Sequence, residues 1–375
     1  MLRVDREQVM AYRVAAHGLH RAAADPATLA VFDLGVQDNQ RGSVPVALAA
    51  RVTDPIASGS LADDPQWTLA WTHRGAPHVH RGGDMSGVVS ALVPLDEADA
   101  VARMGWQRGQ VAGAGMPATE ALHTAARAIR EVVTAPMVKG AVSAAVTAII
   151  PPGLSTWCRG CRATHIMEQL MRLAAPHGGV RLEPGATPAT LAPMAPRPRA
   201  STTPRPDAAR EVALAYLVLH GPATPADVAG FVGTTRATVA ERMWPPGLAE
   251  VLVDGRPAFL PADCLSTLEN PPEPTPVRLL PPLDPLVQGR DRDLLVPERA
   301  LHKEIWKILG NPGVVLADGE IVGTWRAKAA GRARLGLTIA PFHPLGPACR
   351  ASVAGEAERV AAARGYPDVT ITWSP

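Results

Sequence analysis

The sequence predicts an α+β fold in which groups of helices are followed by β-hairpins. Two Asp-Gly dipeptides, at 254–255 and 318–319, each lie between apolar stretches, which is a strong signal for a hairpin turn. Apolar residues at helical spacing precede these hairpins. The chain has 375 residues, 47% of them hydrophobic, which is enough for about two to three globular domains of about 100–150 residues each.

The N-terminal part of the chain is predicted to be helical and then to form a hairpin. Asp5 is placed to cap the first helix, whose apolar residues lie on one face. The predicted elements are a helix over 5–20, short helices from Pro26 and from Ser43, and strands at 67–72 and 77–81. Three helices before the first strands follow the order of a winged helix, so we expect a first winged-helix region at 1–110.

The clearest copy of that order lies in the second half of the chain. Its predicted elements are helices over 206–219, Thr224–Phe231 and Thr235–Met243, with a hairpin around the Asp-Gly turn at 254–255. We therefore expect a winged helix-turn-helix region at 207–270.

Three further regions complete the predicted organisation. A weaker winged-helix copy at 111–183 would combine a helix from Met137 to Ile150, a helix near Thr164–Ala174 and a short wing at Gly179–Glu183. Seven prolines between Pro184 and Pro206 predict a linker at 184–206. A C-terminal β/α region at 271–375 would contain a helix around Glu298–Ile308, a hairpin around Asp318-Gly319, a helix over 348–364 and a strand over 368–373.

The composition excludes several classes of protein. The longest apolar run, Gly140–Ile150, is well short of the ~20 residues that a membrane span needs. Charged residues near the N-terminus stand where a secretory signal would have its apolar core, so we expect a cytoplasmic protein. Four cysteines are too few for a disulfide scaffold. The net charge of +2 excludes strong global steering of an anionic partner, but not a local basic patch.

Two groups of residues invite a metal-site interpretation. Cys158 and Cys161 form a Cys-x-x-Cys pair with His165 nearby, and thiolates and imidazoles suit tetrahedral zinc. His177 is the candidate fourth ligand, but no second cysteine pair exists. His78 and His80, near His73, would share one face of a strand. In both groups the ordinary interpretation, a turn or hydrogen-bonded histidines, is the one we expect, so no metal is predicted.

Basic residues suggest a surface for phosphates. Four cations and no anion lie in the predicted hairpin at 326–334, where they would project from the sheet; they are Arg326, Lys328, Arg332 and Arg334. Arg236 and Arg242, on the predicted recognition helix, point to the same role. The alternatives are a solvated hairpin and a winged helix that binds protein.

The loop before the helix at Ser43 is unusually polar. Gln37, Asp38, Asn39 and Gln40 follow one another, and by local chemistry they form a loop ahead of a helix cap. In an extended chain, Gln37 and Asn39 would project to one side and Asp38 to the other.

At this loop the sequence resembles the AlkZ-like winged-helix DNA glycosylases, including their azinomycin self-resistance member. The motifs that carry the resemblance span nearly the whole chain: Gly35-Val-Gln-Asp-Asn39, Gly42–Arg51, Trp71–His78, Trp157–Cys161 with His165, Leu280–Pro285, Gln288–Arg292 and Asp318–Trp325. The family's active-site signature is a glutamine, a spacer and a second polar residue, which here falls on Gln37, Asp38 and Asn39. Asparagine departs from the commonest second residue, which leaves open how Asp38 and Asn39 divide the work.

The resemblance implies tandem winged helices around an open DNA-binding channel. It also implies hydrolysis of the N-glycosidic bond of bulky N7-alkylated purines, including interstrand crosslinks made by a natural product. N7 alkylation already makes the base a good leaving group, so amides and one carboxylate suffice to orient water and stabilise the cationic sugar. No lysine lies near the motif in the sequence, so we expect a monofunctional glycosylase without a cofactor, a monomer that acts on duplex DNA in the nucleoid, with Arg41 among its DNA contacts.

A rival interpretation belongs to a different functional class. A non-enzymatic winged-helix regulator, or a resistance protein that sequesters a drug, would use Arg236, Arg242 and the wings but would have no need of the polar loop at 37–40.

Overall fold

The computed structural model describes residues 1–38, 40, 42–54, 61, 64–199, 203–274, 277–331 and 333–374. Asn39, Arg41 and Arg332, three of the predicted site residues, lie outside the described residues. The described chain divides into two compact units: unit 1 comprises 1–63, 215–227 and 246–375, and unit 2 comprises 64–214 and 228–245. Among the described residues, none of the helices is long and apolar enough to cross a membrane.

The helices and strands alternate along the chain. The helices are α1 Arg6–Ala16, α2 Val31–Leu34, α3 Ser43–Ala49, α4 Met85–Ala91, α5 Glu97–Arg103, α6 Arg108–Ala112, α7 Ala118–Val132, α8 Lys139–Ile149, α9 Glu168–His177, α10 Pro206–His220, α11 Pro225–Val232, α12 Arg236–Thr238, α13 Leu265–Glu269, α14 Arg292–Leu295, α15 His302–Ile305 and α16 Pro347–Ala363. The strands are β1 Leu2–Val4, β2 Val36–Gln37, β3 Trp67–Trp71, β4 Pro77–Arg81, β5 Met137–Val138, β6 Ser155–Cys158, β7 Ala163–Ile166, β8 Val180–Leu182, β9 Thr190–Pro193, β10 Leu248–Val253, β11 Arg256–Pro261, β12 Val277–Leu280, β13 Gly313–Ala317, β14 Glu320–Ala329, β15 Arg334–Pro341 and β16 Asp368–Trp373.

Most predicted elements are confirmed where the local signal was strong. Asp5 caps α1 together with Gln8 in a capping box. Both Asp-Gly dipeptides turn hairpins, β10–β11 and β13–β14, and all four residues have the positive φ that such tight turns require. The helices and hairpin predicted over 206–261 are present in the predicted order.

A five-stranded sheet forms the centre of unit 1. Its order is β12-β13-β14-β15-β16, antiparallel except for the parallel pair β15 and β16. α16 packs Val353 and Val360 in one core with Val315 and Leu337 of the sheet. Val314 belongs to a second core, which also contains Met10 and Leu286. These two cores hold the elements on which the candidate site lies.

Unit 2 contains α4–α9, α12, parts of α10 and α11, and short sheets. β5, β9 and β8 form one sheet, β3 pairs with β4, and β6 pairs with β7. Asp99 and Arg103 form a buried ion pair one turn apart on α5, with Nε 2.7 Å from Oδ1. The helices α4–α7 were not predicted from the sequence.

The structure corrects four details of the sequence-based prediction. β1 precedes the first helix and pairs in parallel with β10, so a strand and not a helix comes first. The helix predicted near Thr164–Ala174 begins only at Glu168, because 163–166 is the strand that pairs with β6. The predicted linker contains β9. The helix predicted around Glu298–Ile308 is only α15 with a preceding 3-10 turn, because the chain leaves helical geometry at Trp306.

Candidate active site

The polar loop lies between two glycines that set its course. Gly35 ends α2 and Gly42 precedes α3. Their φ angles are 81° and 84°, and residues with a Cβ atom rarely adopt such positive φ values. A Cβ on Gly42 would also lie 3.1 Å from Nε of Arg364. The chain between them starts as the extended pair Val36–Gln37. The loop is therefore fixed at both ends by backbone geometry.

Gln37 and Asp38 have different environments. The Gln37 side chain is only 6% exposed, whereas Asp38 is half-buried. Burial removes water from the Asp38 carboxylate and raises its pKa to about 6. A carboxyl group with a pKa close to neutral is suited to accept a proton from water at physiological pH. A buried amide and a half-buried carboxyl group with a raised pKa are thus consecutive in the chain.

A second loop lies next to the polar loop. Nε2 of Gln40 donates a hydrogen bond to the carbonyl of Asn311 over 3.3 Å, and Oδ1 of Asn311 accepts one from the backbone N–H of Lys307 over 2.8 Å. At the tip of this loop Ile308 and Leu309 are 99% and 86% exposed. Sequence reasoning missed this feature because it treated Ile308 as the apolar end of a helix; the Asn-Pro-Gly at 311–313 was the signal of a loop.

The basic hairpin is present and reaches the same loop. Strand register places Arg326, Lys328 and Arg334 on one face of β14 and β15, and all three are exposed. Nη2 of Arg326 donates to the Gly310 carbonyl over 2.8 Å, which ties the hairpin to the apolar tip. Nη2 of Arg334 lies 3.6 Å from Oδ2 of Asp368, so part of its charge is compensated.

The two arginines of the predicted recognition helix differ. Both belong to unit 2. Arg236 is exposed at the start of α12, which Thr235 caps as predicted. Arg242 instead donates from Nη1 to Oδ2 of Asp96 over 2.8 Å, in an ion pair whose side chains are about equally exposed. An anionic partner of Arg242 would have to compete with that carboxylate.

The histidines of β4 and of the turn between β3 and β4 form a buried polar group. The Thr72 hydroxyl lies 2.9 Å from Nδ1 of His78 and 3.2 Å from Nε2 of His80. Burial holds the pKa of His73 and His78 well below the usual value, so these rings are neutral near pH 7. Hydrogen-bonded core histidines, the ordinary interpretation of this pattern, account for these contacts.

The cysteine motif is brought together with its histidine. The potential ligand atoms of Cys158, Cys161 and His165 all lie within 4.8 Å of one another. The fourth candidate, His177, is a buried residue at the end of α9 and is outside this group.

The class of protein is defined by comparison with known families. The profile of the family described as DNA glycosylase AlkZ-like matches residues 31–363. The chain therefore belongs to the AlkZ-like DNA glycosylase family, as its motifs predict.

A solved structure of the same fold agrees with this assignment. DNA glycosylase AlkZ of Streptomyces sahachiroi is similar over 100% of both chains, with a TM-score of 0.76 and 20% sequence identity. At that identity the two are different proteins, and the likeness shows the shared α+β fold. No match at a significant level is found among curated protein sequences.

Proposed function

We propose that this DNA glycosylase hydrolyses the N-glycosidic bond of bulky N7-alkylated purines, including interstrand crosslinks made by a natural product. The observation that carries the proposal is the pairing of buried Gln37 with half-buried Asp38, whose pKa is raised to about 6. Their loop contacts the loop at 307–313, which the exposed basic hairpin also contacts. A regulator or a drug-sequestering protein would gain nothing from a partly desolvated carboxylate at that place.

The chemistry follows from the charge of the substrate. An N7-alkylated purine is already cationic, so its bond to C1′ breaks with the electron pair moving to the base, without a general acid. The Asp38 carboxylate accepts a proton from the attacking water as the new bond between oxygen and C1′ forms. The Gln37 amide oxygen, and by analogy the Asn39 amide, stabilises positive charge on the sugar. The products are the free base and an abasic site, as expected of a monofunctional enzyme.

DNA contacts are assigned to the exposed cations. Lys328 and Arg326 are the strongest candidates for phosphate contacts, because they share one exposed face of the hairpin and Arg326 contacts the loop that Gln40 also contacts. Arg334, partly compensated by Asp368, is expected to contribute less. Arg41, Arg332, Arg236 and Arg242 complete the proposed interface.

The apolar tip is the proposed element that enters the base stack. Two exposed aliphatic side chains, Ile308 and Leu309, lie in the loop that Gln40 and Arg326 both contact. Apolar side chains that enter DNA between bases weaken stacking at the step that must open. We propose that this tip props open the duplex beside the lesion, which suits a crosslinked base that cannot leave the helix freely.

We further propose the organisation that the family resemblance implies. The regions are winged helices at 1–110, 111–183 and 207–270 and the C-terminal region at 271–375, around an open channel for duplex DNA. The protein would act as a monomer in the cytoplasm, at the nucleoid, without a cofactor.

The test is base release from defined lesions. A duplex with one N7-alkylguanine is incubated with protein and then treated with alkali, which cleaves at abasic sites; strand breaks at the modified base only after alkali are expected. Borohydride added during the reaction should trap no covalent complex, since a Schiff base plays no part. Retention of the intact adduct with tight DNA binding would favour the sequestering protein instead.

A further inference from the structure

We propose that Cys158, Cys161 and His165 bind one zinc ion that clips the turn between β6 and β7. The site is separate from the polar loop that the proposed function uses: its three residues belong to unit 2, and the polar loop belongs to unit 1. It departs from the sequence-based expectation of an ordinary turn.

The strand pairing converts a sequence motif into a cluster. Cys158 ends β6, and His165 on β7 pairs with Thr156, two residues before Cys158. Residues two apart on a strand share a face, so Cys158 and His165 are diagonal neighbours on one face of the hairpin. Cys161 lies in the turn between them, followed by Arg162 with a left-handed φ of 51°. That turn folds the second thiol back over the first.

The distances suit one tetrahedral ion. The ligand atoms lie within 4.8 Å of one another. Bonds of about 2.3 Å to sulfur and about 2.0 Å to nitrogen would place the ligands of one zinc ion roughly 3.6–3.8 Å apart. Side-chain movements of about 1 Å would therefore bring the three ligand atoms to the distances that one zinc ion requires.

The histidine is held in the form that a metal requires. Nδ1 of His165 lies 2.7 Å from the carbonyl of Ile166 and donates its proton there. This bond leaves the lone pair of Nε2 for a metal, and a backbone acceptor of this kind is the usual partner of a zinc-bound imidazole.

The backbone around Cys158 is arranged for a thiolate. The backbone N–H groups of Gly160 and Cys161 lie close to the Cys158 sulfur and favour its charged form. Two such donors stabilise a negatively charged sulfur, whereas a neutral thiol in a turn has little use for them. Lys139 and Glu168 both lie near Cys161, but they form an ion pair with Nζ 2.6 Å from Oε1, so their charges largely cancel there. Zn²⁺ would displace the two thiol protons to solvent, and two thiolates would neutralise the charge of the ion.

The exposure of the β6–β7 hairpin explains why a bound metal ion would stabilise it. Cys161 and the neighbouring Trp157 are exposed, so these side chains bury little apolar surface. A two-stranded hairpin is marginal on its own, and metal binding contributes directly to the stability of the fold around it. With three protein ligands, water takes the fourth position of the ion.

The test measures metal directly on the full chain. Reduced, metal-stripped protein is titrated with Co²⁺, which reports tetrahedral thiolate ligation by its charge-transfer and visible bands, and Zn²⁺ is then added in competition. We expect one ion per chain, loss of the thiolate bands in Cys158→Ser and Cys161→Ser, and altered visible bands in His165→Asn. Cys349→Ser, a half-buried thiol on α16, is the matched control and should keep the wild-type spectrum.

A second readout uses the unmutated protein and guards against misfolded variants. Zinc should slow proteolysis at Arg159 and Arg162, and a chelator should restore it. Wild-type protein that binds no more metal than Cys158→Ser would overturn the proposal, as would a Cys158–Cys161 disulfide that persists in protein from reducing cells. Neither outcome bears on base release at Gln37, so the two proposals fail separately.

Discussion

The guanidinium of Arg51 and the carboxylate of Asp284 form a bidentate ion pair that is inaccessible to water. The two nitrogens lie 2.7 and 2.8 Å from the carboxylate oxygens, and both side chains are fully buried. Arg51 also donates to the carbonyls of His17 and Ala47. Because Arg51 follows α3, this pair ties the helix that leaves the candidate active site to the loop after β12.

Breaking this pair should destabilise the protein strongly. Removing one partner leaves the other charge buried without compensation, which typically costs about 3–5 kcal/mol. We expect Asp284→Asn and Arg51→Ala each to lower the free energy of unfolding by about that amount in urea. Arg299→Ala is the control, because its pair with Asp293 is exposed and should contribute little. Equal effects of all three variants would contradict the special role of the buried pair.

Gln37 should matter for catalysis and hardly at all for binding. Its amide is buried at the candidate site, whereas the cations of the hairpin are exposed. Loss of one preorganised stabilising group typically costs about 100- to 1,000-fold in rate, and we expect Gln37→Ala to lose at least about 100-fold in single-turnover base release. Affinity for lesion-containing DNA should stay within several-fold of wild type. A parallel loss of binding and activity would count against a catalytic Gln37. Asn39→Ala should behave in the same way, with a smaller effect if Asp38 orients the water.

Asp38 should give base release a characteristic dependence on pH. Its pKa is raised to about 6 by burial, so the carboxylate form is lost as the pH falls through that value. We expect the single-turnover rate to rise about tenfold per pH unit below pH 6 and to level off above it. The Asp38→Asn variant should release the base slowly at every pH, and its rate should not show this rise below pH 6.

The raised pKa of Asp38 makes folding stability fall with rising pH, whereas it makes the rate of base release rise. A carboxyl group whose pKa is raised on folding stabilises the native state below its unfolded pKa, and this contribution is lost as the pH rises through about 6. Asp38→Asn should therefore unfold no more readily than wild type at pH 8, which separates a catalytic defect from misfolding. If the rate of base release by Asp38→Asn still rises with pH below pH 6 as in the wild type, another group must be responsible for that pH dependence.

Lys328 should set part of the salt dependence of DNA binding. Each phosphate contact contributes about 0.9 to the slope of log affinity against log salt for duplex DNA. Lys328→Ala should flatten that slope by about 0.9, and a Lys328→Ala, Arg332→Ala double variant by up to about two. Arg334→Ala should have less effect because Asp368 compensates its charge. An unchanged slope in the double variant would indicate that the hairpin is only a solvated turn.

The apolar tip should matter most for lesions that resist opening. Replacing Ile308 and Leu309 by serine removes the side chains proposed to enter the stack, and unstacking a base step costs a few kcal/mol. We expect crosslink opening to fall about tenfold or more, since each 1.36 kcal/mol is a factor of ten. Release of a small N7-methylguanine should fall less. Thermal stability should be unchanged because both side chains are exposed. Equal losses on both substrates would contradict the role of a wedge.

The sequence by itself determined the elements whose signals are local. Asp5 and Gln8 cap α1, the two Asp-Gly turns form hairpins, and the polar loop stands ahead of α3, because each depends on the backbone preferences of a few consecutive residues. The motifs spread along nearly the whole chain, in their order and spacing, also sufficed to indicate the family.

Only the tertiary structure decided which distant residues meet. Leu2 pairs with Val251, Gln40 reaches Asn311, and Arg51 meets Asp284, although more than 200 residues separate each pair. Cys158 and His165 are only seven residues apart, yet the sequence did not predict that they would meet. They meet because 163–166 forms strand β7, where a helix was predicted from Thr164. Such contacts gain their energy from burial and pairing after the chain has closed a loop, and no local preference encodes which partner will be there.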